Sequence, residues 1–436
     1  MAKPGPLHSR YPGLDWLRAA AALLVVLFHA GIPYMTSPLP GMEWCTDDRS
    51  ARSGVANAIV WGIGTFVMPV FFLLGGFLAC RSCRKAGPGA FLRQRTLRLG
   101  APLVTAFALI LPAVLFIWLF GWICDGLTTP EKLRHGDLTP TQWAQLTSPG
   151  HLWFLPYLWM FCAGGAAMVF VGGRKRDGGP KFPAGVFSSS VSQMTARLVV
   201  VAALFATSVL ALFWQPVTAI GFRSAPVPQL PNLLYYAPCF ALGWLLSVWN
   251  WRPSRFTGFA LLMGAAALFP GLGELIARHV TSPREGAELV RLVLLFAACG
   301  WLAAAGLFAF AVRSTRPVPP TVAYLAEASL WIYVAHVPPL ALTQISLTLV
   351  DGYGAAKMIS SAVIGVAGCL LVYELAVRGQ RIESLMNGIL TPKRVDSLSA
   401  AVADQQDGLA RENVTLPDAP DRAAVKSDPM KERPRV

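Results

Sequence analysis

Three ionisable side chains stand inside the first apolar stretch of the chain, which runs Leu14-Asp15-Trp16-Leu17-Arg18 through to Phe28-His29-Ala30. Charges in hydrocarbon are costly, so groups that sit there call for a functional explanation. At about 100° per residue, the steps from Arg18 to His29 complete three turns plus roughly 20°, and those from Asp15 to His29 fall about 40° short of four turns. Asp15, Arg18 and His29 therefore share one stripe, able to face a polar pocket while Leu, Val and Phe face lipid. A neutral imidazole at such a position can remove a proton from a hydroxyl or act as a nucleophile. The plainer reading is an end-of-helix ion pair and a hydrogen-bonded interior histidine.

A second such set is Ala328-Ser329-Leu330-Trp331-Ile332-Tyr333-Val334-Ala335-His336-Val337-Pro338-Pro339. Ser329, Tyr333 and His336 stand at i, i+4 and i+7 and line one face. Pro338 lacks an N–H and obstructs helical bonding to the Val334 carbonyl, which puts His336 beside irregular backbone of the kind tolerated where a cavity is lined. His29 and His336 each lie about 15 residues into their segments, roughly 22 Å of rise, and so at similar depth.

Arg95 and Arg98, three residues apart at the start of another apolar segment, fall within one helical turn of each other. Their guanidinium forks suit phosphate oxygens, although ordinary topogenic charge also accounts for them. His151-Leu152-Trp153-Phe154 opens a further segment and reads either as an aromatic belt or as a ligand contact. Pro69 with Gly75-Gly76 reads as a helix notch where another backbone approaches closely, or as a break lining a cavity. Cys80-Arg81-Ser82-Cys83 has metal or redox spacing, but with no second pair beside it two incidental thiols are the simpler account.

The elements that must position these groups are membrane helices. The chain of 436 residues is 54% hydrophobic and 14% charged, and its mean hydropathy is +0.51; an ordinary soluble domain is excluded. Apolar spans near 14–35, 57–80, 97–123, 152–172, 198–215, 232–250, 256–273, 289–312, 322–350 and 355–377 predict an all-α integral membrane protein of about ten transmembrane helices. Residues 1–13 form an N-terminal segment, 14–378 the membrane domain, and 379–436 a polar, largely disordered tail. No cleavage site follows the first span, which predicts a retained helix.

Charge sets the orientation. The second loop carries Arg81, Arg84, Lys85, Arg93 and Arg95 without an acid, and the fourth Arg174, Lys175, Arg176 and Lys181 against Asp177. The sixth carries Arg252 and Arg255, and the eighth Arg313 and Arg316; the odd loops mix both signs, as Glu43, Asp47, Asp48, Arg49 and Arg52 do in the first. The positive-inside bias then places both termini and the even loops in the cytoplasm. Most of the +14 net charge is accounted for in this way, and the basic runs lack the interleaved aromatics of a nucleic-acid surface. Cys45 and Cys124 fall in outer loops, where a bridge or two free thiols are both open.

Taken as an ordered set, these motifs resemble the membrane acyltransferase-3 family. The resemblance rests on Arg18 and His29, Phe71-Phe72 with Gly76-Phe77, Arg95 and Arg98 with Pro102, His151-Leu152-Trp153-Phe154, and Ser329 through His336, and it spans about Tyr11 to Arg378. Tyr236-Ala237-Pro238 through Gly243 and Tyr373-Glu374 make it most similar to the periplasmic-glucan branch. One departure is Gly75-Gly76, where the family usually has Ser-Gly. The resemblance implies a bacterial inner-membrane enzyme that carries an acetyl- or succinyl-type group from cytoplasmic acyl-CoA, used as co-substrate with no bound cofactor or metal, to a hydroxyl of an outer carbohydrate.

In that scheme His29, Arg18, His336 and Tyr333 are catalytic and Arg95 and Arg98 bind the donor. His151, Trp153 and Ser329 meet the acceptor, while Asp15, Gly75, Gly76 and Glu374 support the site. A transporter would also place broken helices and charges at mid-depth, and a haem or metal protein could use His29 and His336 as ligands.

The loop charges generate one test. A reporter active only outside the cytoplasm is expected to work when fused after Thr128 and to fail after Lys175 or at the C-terminus. The reverse pattern rules the orientation out.

Overall fold

The computed structural model describes residues 11–172, 190–216, 218, 225, 227–283 and 285–378; the disordered-tail expectation lies outside them. Among the described residues all named elements are helical, and the one β feature is an isolated bridge between Met35 and Ser53. In chain order the helices are α1 (Pro12–Gly31), α2 (Gly54–Ala86), α3 (Pro88–Thr105), α4 (Leu111–Cys124), α5 (Pro130–His135), α6 (Pro140–Thr147), α7 (Phe154–Val171), α8 (Ser190–Trp214), α9 (Leu230–Val248), α10 (Arg255–Thr281), α11 (Gly286–Arg313), α12 (Pro320–Ala335), α13 (Val337–Leu347) and α14 (Gly354–Val372).

Each of the ten expected spans is helical, with altered boundaries. Among the described residues eight helical segments are long and apolar enough to cross a membrane, and α12 with α13, bent by 65° at His336, would make a ninth. Helix α9, with Asn232, Pro231, Pro238 and two adjacent tyrosines, falls short of that apolarity and is instead buried along much of its length. The third span begins earlier than expected, at Pro88, because Gly87 (φ 82°) lets the chain turn directly from α2 into α3. A π-helical turn, Ala106–Ile110, joins α3 to α4. The seventh span, read as 256–273, extends to Thr281.

Sequence signals account for the helix ends. Proline opens α1, α3, α5, α6 and α12, where the missing N–H is one that no intrahelical carbonyl needs. Ser53 caps α2, and Thr139 with Gln142 forms a capping box on α6. Pro69 does not break α2, which runs through it without interruption.

Helices α1 and α2 form the centre: α1 lies against α2, α11, α12 and α14, and α2 against α9 and α11 as well. Helices α2 and α9 approach each other closely. A Cβ added at Gly76 would stand 1.9 Å from the Phe240 carbonyl oxygen, and one at Gly243 1.9 Å from that of Leu73. Two glycines thus let the backbones touch, as small residues do where membrane helices pack.

The connection from α1 to α2, residues 32–53, folds back over the end of α1 and is pinned along its length. Trp122 Nε1 donates to the Trp44 carbonyl at 3.0 Å, Thr46 Oγ1 to Asp125 Oδ1 at 2.9 Å, and Lys357 Nζ to Asp48 Oδ2 at 2.6 Å. Asp48 and Lys357 are almost fully buried, at 3% and 5% side-chain exposure, so each charge depends on the other. Cys45 and Cys124 are both free thiols.

The glycine contact is testable. Gly76→Ala and Gly243→Ala each force backbone apart and are expected to cost about 1–3 kcal/mol or more, read as a lower unfolding temperature in detergent. Gly75→Ala meets side chains alone, the flexible Leu158 Cδ1 at 2.9 Å and Phe240 Cδ2 at 3.9 Å, and is expected to be the mildest of the three; equal effects would show that the backbone contact is not what the glycines serve.

Candidate active site

At one end of α1, Arg18 crosses to α12: its Nη2 donates to the Ala326 carbonyl at 2.9 Å and to Ser329 Oγ at 3.4 Å, while Nη1 is 3.7 Å from Asp15 Oδ1. Ser329 Oγ in turn donates to the Ala326 carbonyl at 2.7 Å. Ser329, expected among acceptor contacts, thus sits in the Arg18 cluster. Arg95 and Arg98 bring two further guanidiniums close enough to repel Arg18 and each other. Arg95 lies over the Phe91 ring at 5.4 Å, and its Nε is buried without a partner among the described residues. Three neighbouring guanidiniums with an unused donor have the chemistry to receive an anion.

Toward the other end of α1, the two distant histidines meet. His336 Nε2 and His29 Nδ1 are 3.1 Å apart, and His151 stacks edge-on to His336 with ring centroids 5.1 Å apart. Prolines bring this about. Pro338 leaves the Val334 carbonyl without its helical donor, and His151 Nε2 supplies one at 3.0 Å. Pro33 does the same to the His29 carbonyl, and the Gln344 side-chain amide supplies the donor at 3.0 Å, with a second bond to the Ala30 carbonyl at 3.1 Å.

Carbonyl oxygens also assign the protons, because they can only accept. His336 Nδ1 lies 3.1 and 2.9 Å from the Ile332 and Tyr333 carbonyls, so it carries the hydrogen and leaves a lone pair on Nε2. That lone pair faces His29 Nδ1, whose single hydrogen is shared between it, at 3.1 Å, and the Val25 carbonyl, at 2.8 Å. His29 Nε2 is left with a free lone pair and no protein partner among the described residues. No group of three or more His, Cys, Asp and Glu side chains placed to hold a metal ion occurs among the described residues.

His29 opens onto a cavity of about 210 Å³. Its wall is aromatic, with Phe28, Trp44, Trp61, Trp118, Trp153, Tyr157, Tyr236 and Tyr333, and it carries the neutral polar groups Gln145, Ser148, Thr218, Gln229 and Asn232. None of the described lining residues is acidic or basic apart from its histidines. Trp153 stacks beside Tyr236 at 5.3 Å. The Tyr333 hydroxyl donates to the His151 backbone carbonyl, so it braces His151 and is not a free donor. Just behind this wall, burial raises the Glu43 carboxyl above the usual carboxylate range, against an opposing hydrogen bond from Gln142.

The remaining expected residues lie farther out. Gly75 sits at the α2 surface facing α7 through Leu158. Glu374 is exposed and paired with Arg378 at 2.8 Å, which in turn lies over the Tyr324 ring; Glu374 therefore ties the end of the chain's last described helix to α12. Trp44 and Gln344 were absent from the sequence reading. The signal for Gln344 was Pro33, four residues after His29, which orphans a carbonyl at membrane depth. Trp44 lies in a polar loop and carries no such signal.

Residues 11–374 match a family model, Acyl_transf_3, described as an acyltransferase domain. No curated protein and no solved structure matches the chain.

Proposed function

The chain belongs to the acyltransferase-3 family and is an acyltransferase with membrane helices; from that premise we propose that it moves an acetyl- or succinyl-type group from cytoplasmic acyl-CoA to a hydroxyl of an extracytoplasmic carbohydrate such as a periplasmic glucan. The setting is a bacterial inner membrane, with both termini in the cytoplasm. The observation that carries the reading is the free Nε2 lone pair of His29, open to the aromatic cavity on the same helix that reaches the arginine cluster.

Arg18, Arg95 and Arg98 receive the CoA phosphates, Arg95 through the Nε that has no protein partner. Arg18 and His29 are separated by about 16 Å of helix, a span that the pantetheine arm bridges to bring the thioester beside His29. Trp153, Tyr157 and Tyr236 offer ring faces to a sugar, and the neutral amides and hydroxyls offer partners for its hydroxyl groups.

His29 Nε2 takes the proton from the acceptor hydroxyl as its oxygen attacks the thioester carbonyl carbon. The C–S bond then breaks, and the departing CoA thiolate recovers that proton from His29. The products are the O-acyl ester and CoA. His336 serves from behind: as His29 becomes an imidazolium, its Nδ1–H bond to the His336 lone pair strengthens. His151, held on the Val334 carbonyl, walls the site beside His336.

His29→Ala is expected to lower acyl transfer from labelled acyl-CoA to envelope glycan by about 10² to 10⁴ with normal insertion. Near wild-type turnover in that variant would sink the assignment, and glycan movement without CoA release would favour a transporter. Neutral substitutions at Arg95 and Arg98 are expected to raise the KM for acyl-CoA more than that for the acceptor. Lysine replacements should rescue only partly, because an ammonium lacks the two-pronged geometry. Unchanged acyl-CoA dependence in both single variants and the double rules out the clamp.

A further inference from the structure

Trp44 lies on the His29 ring. The two ring planes are 28° apart with centroids separated by 5.6 Å, and Trp44 is nearly buried. Its position is over-determined: Nε1 donates to Gln344 Oε1 at 2.8 Å, its carbonyl accepts from Trp122 Nε1 at 3.0 Å, and it makes a T-shaped contact with Trp118, ring centroids 4.8 Å apart. Gln344 is fully buried and uses both amide hydrogens on the carbonyls of His29 and Ala30. One side chain therefore fixes both the backbone that carries His29 and the ring that covers it.

We propose that Trp44, held by Gln344, is a positioning residue that stabilises the positive charge developing on His29 as it takes the acceptor proton. This rests on His29 acting as the base. An indole face within about 6 Å attracts a cation through its ring quadrupole, and the attraction is larger where water is excluded. Toward neutral His29 the stack is ordinary packing, so the gain is made mainly in the transition state and lowers the barrier to proton removal. His29 is thereby flanked by two groups that prefer its charged form, the His336 lone pair and the Trp44 ring.

Two features separate this role from a structural one. The wall offers other aromatic residues for sugar stacking, but Trp44 is the ring parallel to His29, while Phe28 meets it edge-on at 88°. The two hydrogen bonds that hold Trp44 come from different parts of the chain, α4 and α13, and Gln344 is itself bonded to the α1 backbone, which is the investment expected where orientation matters.

The test replaces Trp44 in the full-length protein with mono-, di- and trifluorotryptophan, which keep the shape and the N–H while weakening the ring quadrupole stepwise. Rates are measured in proteoliposomes with labelled acetyl- or succinyl-CoA, whichever the wild type turns over, and glucan oligosaccharide. The expected result is a graded fall in kcat with each added fluorine and an unchanged KM for acyl-CoA, with Trp44→Leu about 10- to 30-fold below wild type.

Gln344→Met keeps the volume without the hydrogen bonds; it should also lower kcat, and combining it with Trp44→Leu should add little, because both act through the same ring. A flat fluorination series together with an inactive His29→Ala overturns this role for Trp44 alone. An active His29→Ala removes the base on which it rests. Full additivity of Trp44→Leu and Gln344→Met removes the coupling to Gln344.

Discussion

Inside an apolar bundle, a backbone carbonyl stripped of its helical donor must find another, because no water is there to replace it. Two prolines create that demand at the centre of this protein. Pro33 orphans the His29 carbonyl and Pro338 that of Val334, and the side chains that answer, Gln344 and His151, come from distant parts of the chain. Meeting those two demands draws α1, the turn before α7, and the bent α12–α13 pair to one point. The histidine trio is assembled there, and the same carbonyls determine which ring nitrogens carry hydrogen. A defect that would be costly alone becomes the joint around which the site is built.

The site separates its electrostatics along one helix. Arg18, Arg95 and Arg98 gather positive charge at one end of α1 with Asp15 as a local counter-ion, whereas the described wall around His29 is aromatic and neutral apart from its histidines. A polyanionic ligand and an uncharged, hydroxyl-rich one are therefore favoured in different places. In surroundings of low dielectric, any charge on His29 would be felt strongly by its immediate neighbours, a lone pair and a ring face.

Rigidity comes from close backbone contact below and a locked loop above. Gly76 and Gly243 let α2 and α9 touch, anchoring the helix whose residues Gly64, Val67 and Met68 line the cavity. On the other side the 32–53 connection is tied to α4, α13 and α14 through Trp122, Gln344 and Lys357, so Trp44 rests on a framework even though it belongs to a loop. Asp48 and Lys357 tolerate burial only as a pair, which makes the loop's fastening all-or-none.

Sequence alone determined the helical membrane class, the helical spans, the shared stripe of Arg18 and His29, the common depth of His29 and His336, and the irregular backbone beside Pro338. Each follows from local rules: apolar length, the 3.6-residue repeat, and the missing proline N–H. Partnership across helices was decided by the tertiary structure. Ser329 joins Arg18 and not the aromatic wall around His29, Tyr333 spends its hydroxyl on a backbone carbonyl, Pro69 leaves α2 intact, and Trp44 and Gln344 enter the site from segments with no chemical signature of their own. The reason is that hydrogen-bond supply and demand at a buried point is balanced among groups as much as 315 positions apart in the chain, and no spacing rule within one helix encodes which distant donor will meet an orphaned carbonyl.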